Sequence, residues 1–187
     1  MRTVFFDIDT QIDFVYPAGA LYVPGGERIV PVIAELNRRA PLVISTMDAH
    51  SEDDPEFLIY PHHCVVDTAS QLKPSITLRE KRAVIPARPE GLQQLILEKQ
   101  KLDIFTNPGL APLLTELNAD RYVVYGVVTE ICVRFAALGL LKTGKRVEIV
   151  TDAVKALDES AAEKMFIEFT AAGGHLTTLG AISVALE

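Results

Sequence analysis

Cysteine is scarce in this sequence, and long apolar runs are missing from it. Two cysteines in 187 residues cannot form the disulfide framework of a small secreted protein, which favours reduced thiols. A helix that spans a membrane needs about 18 to 20 consecutive apolar residues, and no such stretch occurs. The first residues lead directly into Asp7 and Asp9 without the apolar core of a secretory signal. We therefore expect a cytoplasmic protein with no membrane partner.

Positive charge is also in deficit, because 18 Lys and Arg residues face 25 Asp and Glu residues for a net charge of −7. This balance argues against nucleic acid or an anionic membrane as the main partner. Hydrophobic residues make up 49% of the chain, which argues against disorder. The length suits one domain, and we expect residues 1–187 to form it around a sizeable core. The apolar helical pattern over residues 135–141 leaves room for a homo-oligomer.

Apolar runs alternate with helical patterns along the chain. Such alternation predicts a three-layer α/β/α fold, in which helices cover both faces of a mostly parallel, Rossmann-like sheet of about six strands. Residues 48–78 form a long irregular segment rich in Pro, His and Asp, and loops of this length are usually functional. The expected strands cover residues 3–8, 42–46, 96–99, 121–127, 147–151 and 176–179. The expected helices cover residues 27–39, 91–97, 110–117 and 130–143, and a last one starts at a capping box formed by Ser160 and Glu163.

Polar residues follow several of these strands. Asp7 or Asp9 ends the first strand, and because side chains two apart on a strand share a face, we expect both on the same side. Asp48 follows the second strand, and Lys99 ends a later one. Ligands bind at the carboxyl ends of the strands in folds of this kind. Together with the segment 126–132, which follows another strand, these residues are predicted to meet at one sheet edge.

Cys132 is the strongest candidate for a nucleophile. It lies on the first turn of an expected helix, where unpaired N–H groups and the helix dipole favour a thiolate and can hold an oxyanion. A carboxylate such as Asp9 or Asp7 can accept the thiol proton when burial makes it a stronger base. The cation of Lys99 near the sulfur would lower the pKa of the thiol. Each residue alone also has a simpler interpretation, since a lone cysteine is more often a buried apolar residue and a lysine at a strand end is usually exposed.

The irregular segment carries a cluster of metal-ligand residue types. One Asp, one Glu and two His suit a divalent ion such as Zn, Mn or Fe. The four candidates are Asp48, His50, Glu56 and His63. His62 competes with His63, and Cys64 next to it is expected to be a buried structural thiol. Acidic loops with a histidine are also common without a metal, so a purely structural segment stays open as an alternative.

Several short sequence motifs contain these candidate residues and follow one another along nearly the whole chain. Taken in this order, they resemble the isochorismatase-like cysteine hydrolase family, and within it the nicotinamidase branch. Each string is short, but the ordered set is hard to obtain by chance. The matching strings are Asp9-Thr10-Gln11-Ile12-Asp13-Phe14, Asp48-Ala49-His50, Pro61-His62-His63-Cys64, Glu98-Lys99-Gln100 with Phe105 after it, and Gly126-Val127-Val128-Thr129-Glu130-Ile131-Cys132-Val133.

The resemblance implies a catalytic triad of Asp9, Lys99 and Cys132. It implies an oxyanion hole formed by the N–H groups of Val128 and Cys132, with a cis peptide bond between Val127 and Val128. It also implies a divalent metal (Zn, Mn or Fe) held by the residues that match the family's ligands, although the family often has histidine at one of these positions, here Glu56. The matching residues are Asp48, His50, Glu56 and His63.

The implied reaction is hydrolysis of nicotinamide to nicotinate and ammonia through a thioester on Cys132. The pocket departs from the nicotinamidase pattern at Ile131, a position that is often polar there. Phe14, Tyr60 and Phe105 are further pocket candidates, since aromatic residues can clamp a planar ligand, but such residues are more often core. Two alternatives stay open: a cysteine hydrolase of another small amide or carbamoyl compound, and a non-catalytic binding module on the same fold.

Overall fold

The computed structural model describes residues 1–182, and its central feature is a β-sheet covered by helices. The strands are β1 (Thr3–Ile8), β2 (Val43–Asp48), β3 (Arg82–Val84), β4 (Gln94–Lys99), β5 (Arg121–Val127), β6 (Arg146–Lys155) and β7 (His175–Thr177). The helices are α1 (Ile12–Val15), α2 (Gly26–Arg39), α3 (Leu110–Leu117), α4 (Arg134–Leu141) and α5 (Glu159–Ala171). None of the helices in the described range is long and apolar enough to cross a membrane.

The described strands form one sheet in the order β3-β4-β2-β1-β5-β6-β7, and every neighbouring pair is parallel. The expected α/β fold is thus confirmed, but the sheet has seven strands between residues 1 and 182 instead of about six. Strands β1 and β5 are buried along their whole length, which explains their continuous apolar runs. The strand that the pattern does not reveal is β3, because it has only three residues and all of them are exposed or half-buried.

The strand order reverses at β1, since β2 and β4 lie on one side of it and β5 to β7 lie on the other. Parallel strands bring their carboxyl ends to one edge, and a crevice forms there where the order reverses. Asp9 follows β1, and Cys132 follows β5. Asp48 and Lys99 end β2 and β4 and are direct partners in the register of these two strands. The chain segments predicted to meet at one sheet edge therefore do so.

The helix expected over residues 91–97 is wrong. Leu95 and Leu97 belong to β4 and are completely buried, and residues 91–93 form the turn that leads into this strand. A short apolar run is compatible with either a helix or a strand. Here the run forms a strand, because it pairs in parallel with β2. Helices α2 and α3, which carry longer periodic patterns, begin and end within one residue of their expected bounds.

Two other helices begin differently from the prediction. The helix expected over residues 130–143 opens with a π-helical turn over Thr129–Val133, and α4 follows it. Helix α5 is capped by Asp158 rather than by a capping box at Ser160, because the Asp158 side chain accepts hydrogen bonds from the N–H groups of Ser160 and Ala161. This carboxylate, two residues before Ser160, satisfies two of the unpaired donors that the helix start exposes.

The long segment between β2 and β3 is irregular, as expected, and a buried ion pair ties it to the sheet. Lys73 Nζ lies 3.3 Å from Asp7 Oδ2 and donates a hydrogen bond to the carbonyl oxygen of Thr46 at 3.1 Å. Ser45 and Asn37 donate to the same carboxylate oxygen at 3.1 and 3.3 Å. A buried charge needs such partners, so this cluster fixes the segment on the sheet. Three short 3-10 turns lie along the segment: Pro55–Leu58, Ala69–Gln71 and Ser75–Thr77.

Candidate active site

Three buried side chains from separate chain segments meet at the sheet edge. Lys99 Nζ lies 2.8 Å from Asp9 Oδ2 and 3.9 Å from Cys132 Sγ. None of the three residues is more than 5% exposed. The acidic, basic and sulfur-bearing side chains singled out in the sequence therefore form one connected group.

Asp9 faces a different side of the sheet from Asp7, contrary to the expectation. Strand β1 ends one residue before Asp9, which adopts a left-handed backbone conformation with φ of +45° that breaks the strand's alternation. Asp7 accepts a hydrogen bond from Ser45, whereas Asp9 accepts one from Thr46, the next residue of β2. Because neighbouring side chains of a strand point to opposite faces, the two carboxylates are separated, and it is Asp9 that lies beside Lys99.

Burial raises the pKa of the Cys132 thiol well above its ordinary value. The Lys99 ammonium acts in the opposite direction, but the charges of Asp9 and Asp48 and a hydrogen bond with Asp9 raise the pKa further. Burial therefore acts against the thiolate that the helix end and the lysine were expected to favour. A neutral thiol needs a base when it attacks, and Asp9 is the carboxylate that Lys99 joins to the same group.

Lys99 keeps its positive charge between two carboxylates. Burial alone would lower the pKa of this lysine, but Asp48 and Asp9 together raise it well above its ordinary value. Its Nζ donates a hydrogen bond to Asp48 and forms an ion pair with Asp9. Burial raises the pKa of Asp48, and the Lys99 charge acts against this effect. Lys99 therefore connects the group around Cys132 to the candidate metal ligands.

The backbone before Cys132 makes a tight turn. The peptide bond between Val127 and Val128 is cis, as the resemblance implies. The carbonyl oxygen of Val128 accepts hydrogen bonds from the N–H groups of Ile131 and Val133, which closes the π-helical turn around Cys132. The thiol therefore lies in the first helical turn after β5, as the sequence predicts.

Asp48, His50 and His63 form a buried cluster whose ligand atoms lie within 4.8 Å of one another. The Nε2 atom of His50 is buried, has no hydrogen-bond partner within residues 1–182, and lies 3.9 Å from Asp48 Oδ2. Glu56 adjoins the cluster, with Oε1 3.8 Å from His63 Nε2. A buried polar atom without a partner is costly, and a set of nitrogen and carboxylate donors suits Zn, Mn or Fe. These residues therefore fit a divalent cation.

Two hydrogen bonds fix the orientation of the histidine rings. His50 Nδ1 lies 3.0 Å from Asp54 Oδ2, and His63 Nδ1 lies 2.7 Å from the carbonyl oxygen of Pro61. Both partners accept hydrogen bonds, so each Nδ1 is the donor and each Nε2 keeps the lone pair that a metal needs. His62, the competitor of His63, is exposed. The role of Asp54 could not be predicted from the sequence, because other acidic residues surround it in the chain.

Gln11 and Asp13 hold the metal-ligand candidates in place, a role that the sequence analysis missed. The Gln11 side chain donates to the carbonyl oxygen of Asp48 at 2.9 Å and accepts from the N–H of the same residue at 2.7 Å. Asp13 Oδ2 accepts from the N–H of Cys64 at 2.6 Å, directly after His63. The partners are 37 and 51 residues away in the chain, so local spacing could not reveal them.

The four pocket candidates occupy two regions. The ring centroids of Phe14 and Tyr60 lie 5.4 and 6.4 Å from that of His63. Phe105 packs against helix α4, and Ile131 is half-buried in the π-helical turn. The first two residues therefore adjoin the metal-ligand candidates, and the other two adjoin the structure that follows β5.

Cys64 is the second free thiol of the described chain. It is completely buried, and its surroundings raise its pKa, first through burial and then through the charges of Asp48 and Asp13. A thiol that is covered on every side and kept neutral suits the expected structural role better than a reactive one.

The chain is similar to known proteins over nearly its whole length. The profile of a family described as Isochorismatase domain matches residues 3–181. A nicotinamidase of Acinetobacter baylyi is 26% identical over 172 residues, covering 81% of this chain and 80% of that protein. The crystal structure of a pyrazinamidase of Pyrococcus horikoshii in complex with zinc has a TM-score of 0.83 and 29% identity, covering 95% of this chain and 99% of that one. The crystal structure of PnC1 from L. infantum in complex with nicotinate has a TM-score of 0.84 and 26% identity, covering 97% of this chain and 95% of that one.

Proposed function

Because this chain belongs to the isochorismatase domain family, we propose that it is a cysteine amidohydrolase that converts nicotinamide and water into nicotinate and ammonia. Relatives named nicotinamidase and pyrazinamidase, and a relative whose structure holds nicotinate, support this substrate class. The observation that carries the proposal is the connected group of Asp9, Lys99 and Cys132 beside a buried set of metal-ligand residues. A nucleophilic thiol needs a base and a nearby positive charge, and Asp9 and Lys99 fit these roles.

In the first half-reaction, Asp9 takes the proton of the Cys132 thiol while the sulfur forms a bond to the carboxamide carbon. The electrons of the C=O π bond move to oxygen, and the N–H groups of Val128 and Cys132 hold the resulting oxyanion. Asp9 then passes the proton to the amide nitrogen, the C–N bond breaks, and ammonia leaves a thioester on Cys132. Lys99 stays charged throughout and keeps the carboxylate oriented.

In the second half-reaction, Asp9 takes a proton from a water molecule whose oxygen attacks the thioester carbon. The C–S bond breaks, the proton returns to sulfur, and the acid leaves. One amide and one water thus give one acid and one ammonia.

We propose that a divalent ion, Zn, Mn or Fe, is held by four side chains: Asp48, His50, Glu56 and His63. When bound, the ion supplies a Lewis-acidic contact for the ring nitrogen of the substrate. Phe14 and Tyr60, whose rings flank His63, are suited to pack against the substrate ring. Asp54 and Gln11 keep the ligands oriented through their hydrogen bonds to His50 and Asp48.

Ammonia release from nicotinamide tests the proposal. The wild-type protein and a Cys64→Ala variant, which removes the other thiol, should release ammonia, whereas Cys132→Ala should lose about 10⁴-fold or more in rate. Circular dichroism establishes that each variant is folded. Equal release by wild type and Cys132→Ala would contradict the nucleophile, and no release by wild type would contradict the substrate.

A second candidate is the hydrolysis of another small amide or carbamoyl compound, which the apolar Ile131 next to the nucleophile favours. A panel of aromatic and carbamoyl amides, assayed with and without a chelator, separates the two candidates. A best substrate that has no ring nitrogen, and whose hydrolysis is unaffected by the chelator, would favour this second candidate.

We further propose that the protein acts in the cytoplasm as a homo-oligomer. Two free thiols suit a reducing compartment. Phe135 of α4 and Ile167 of α5 are 37% and 69% exposed, and a second copy of the chain would cover them. Size-exclusion chromatography with light scattering tests the assembly, and a single species with the mass of one chain would contradict it.

A further inference from the structure

Thr46 contacts both the backbone and the side chain of the proposed base. It is completely buried in β2. Its hydroxyl accepts a hydrogen bond from the N–H of Asp9 at 3.0 Å and donates one to Asp9 Oδ1 at 2.5 Å. Thr46 takes no part in the two proposed half-reactions, and neither the sequence pattern nor the resemblance singles it out.

The hydrogen-bond pattern determines where the hydroxyl proton of Thr46 points. The N–H of Asp9 can act only as a donor, so the Thr46 oxygen receives that bond and its own proton points at the Asp9 carboxylate. The distance of 2.5 Å is typical of a hydroxyl bonded to a charged carboxylate. The other oxygen, Oδ2, lies 2.8 Å from Lys99 Nζ. Each oxygen of Asp9 is therefore held by a different residue.

The pairing of strand β2 within the sheet fixes the position of Thr46, whereas Asp9 lies outside the strands and is not held in this way. Strand β2 pairs with β1 on one side and β4 on the other, and the carbonyl oxygen of Thr46 also accepts a hydrogen bond from Lys73. Asp9 lies beyond the end of β1 in a left-handed conformation. A residue in the middle of the sheet thus supports a residue that its own strand no longer holds.

We propose that Thr46 is a positioning residue, which sets the Asp9 carboxylate for proton transfer to and from Cys132. The inference rests on the proposed function, because Asp9 acts in both half-reactions. Loss of the hydroxyl then slows both steps and lowers kcat, while substrate binding is unchanged. A merely structural hydroxyl would affect stability and leave kcat as it is.

Ser45, the neighbouring residue of β2, offers a matched control on the opposite face of the sheet. Its hydroxyl is equally buried and donates to Asp7 Oδ2 at 3.1 Å. Thr46→Val and Ser45→Ala each remove one buried hydroxyl bound to an aspartate, but only the first touches the proposed base. Thr46→Ser keeps the hydroxyl and removes a methyl group.

Steady-state kinetics with nicotinamide separate the two roles. We expect Thr46→Val to lower kcat about tenfold to a hundredfold and to change KM less than about twofold. Thr46→Ser should stay within about threefold of the wild-type kcat, and Ser45→Ala within about twofold, even where thermal unfolding shows lower stability. If Thr46→Val does not fold, Thr46→Ala takes its place in the same comparison.

Alkylation of Cys132 by iodoacetamide gives a readout that needs no substrate. Because Asp9 accepts the thiol proton, Thr46→Val should slow alkylation about fivefold or more, and Thr46→Ser should restore it. Unchanged kcat and alkylation in Thr46→Val would overturn the inference, as would an equal loss in Thr46→Ser or in Ser45→Ala. If the wild type does not hydrolyse nicotinamide while alkylation follows the expected order, the proposed function fails and the positioning role stands.

Discussion

At the scale of single residues, Cys132 shows how burial decides the state of a reactive side chain. The sequence indicated that a thiol, a carboxylate and a lysine would meet, and they do. The sequence alone could not show whether Lys99 or the loss of water around the sulfur has the larger effect on the thiol pKa. That loss of water is caused by elements that are distant in the chain. In the folded protein desolvation is the larger effect on the pKa of the thiol, and the proposed mechanism therefore uses Asp9 as the base.

Iodoacetamide at pH 7 should modify Cys132 before Cys64, because Cys132 is 5% exposed and Cys64 is completely covered. Burial raises the pKa of both thiols. Alkylation of Cys132 should therefore be slower than that of free cysteine at pH 7, and it should accelerate as the pH rises and removes the proton. Mass spectrometry of the digested protein measures both sites.

The Cys132→Ala variant serves as the control for this alkylation, since it leaves only the covered thiol. Faster labelling of Cys64 than of Cys132 would contradict the burial of the two residues described here. Labelling of Cys132 as fast as free cysteine at pH 7 would mean that Lys99 outweighs desolvation.

At the scale of elements, β1 and β2 show what a strand pattern reveals and what it leaves hidden. Their apolar runs end in acidic residues, which was enough to predict that Asp9 and Asp48 lie at the same sheet edge. The direction in which Asp9 points depends on a single backbone torsion after the strand end, and no periodicity encodes that torsion. The hydrogen bonds from Thr46 and Gln11 join residues 37 positions apart, so only the folded chain shows them.

Gly126 allows β5 to approach β1 at the site, and its replacement by alanine should be severely destabilising. Its φ is +118°, and an added Cβ would lie 2.0 Å from the carbonyl oxygen of Ile8. The methyl group would strain the backbone and push apart the strands that precede Asp9 and Cys132. We expect Gly126→Ala to lower the free energy of unfolding by about 3 kcal/mol or more, as measured by urea denaturation.

Gly144→Ala is the matched control for this substitution. Gly144 also has a positive φ, of +75°, but within the described residues no atom lies within 4 Å of its added Cβ. Gly144→Ala should lower the free energy of unfolding by only about 1–2 kcal/mol, which is the cost of a left-handed conformation without a steric clash. An equal decrease in the free energy of unfolding in the two variants would show that the close approach of β1 and β5 at Gly126 does not contribute to the effect.

At the scale of the whole molecule, the alternation of apolar runs with helical patterns was enough to predict the fold, and the order of short motifs was enough to predict the family. Two features could not be predicted in this way. Strand β3 has only three residues and is not buried, so it is too short to be told from a loop by its sequence pattern. The long segment after β2 is held by the buried pair of Lys73 and Asp7, and these two residues are too far apart in the chain for any local spacing to link them.

Zinc should stabilise the folded protein as a whole, because the proposed ligands come together only in the folded chain. At a concentration about 100 times its Kd, the ion should add about 2.7 kcal/mol to the free energy of unfolding and raise Tm. Thermal unfolding of chelator-treated protein, with and without zinc, measures this shift. Asp54→Ala should weaken zinc binding about tenfold to a hundredfold and reduce the shift, because His50 loses its partner.

Asp53→Ala provides the control, since it removes the same charge from the neighbouring, exposed position. Its zinc-dependent shift in Tm should match that of the wild type. A wild-type protein whose Tm does not respond to zinc, and likewise to Mn or Fe, would contradict the metal site. An equal response in Asp54→Ala would contradict the orienting hydrogen bond.

The single ammonium group of Lys99 is the common counter-ion of Asp9 and Asp48. Any replacement of Asp48 therefore alters the electrostatic balance of the proposed nucleophile as well as the affinity for the ion. His63 has no such tie, because its second ring nitrogen is bonded to a backbone carbonyl. A substitution of His63 should therefore remove the ion without disturbing the proposed nucleophile. A substitution of Asp48 should cause both defects together.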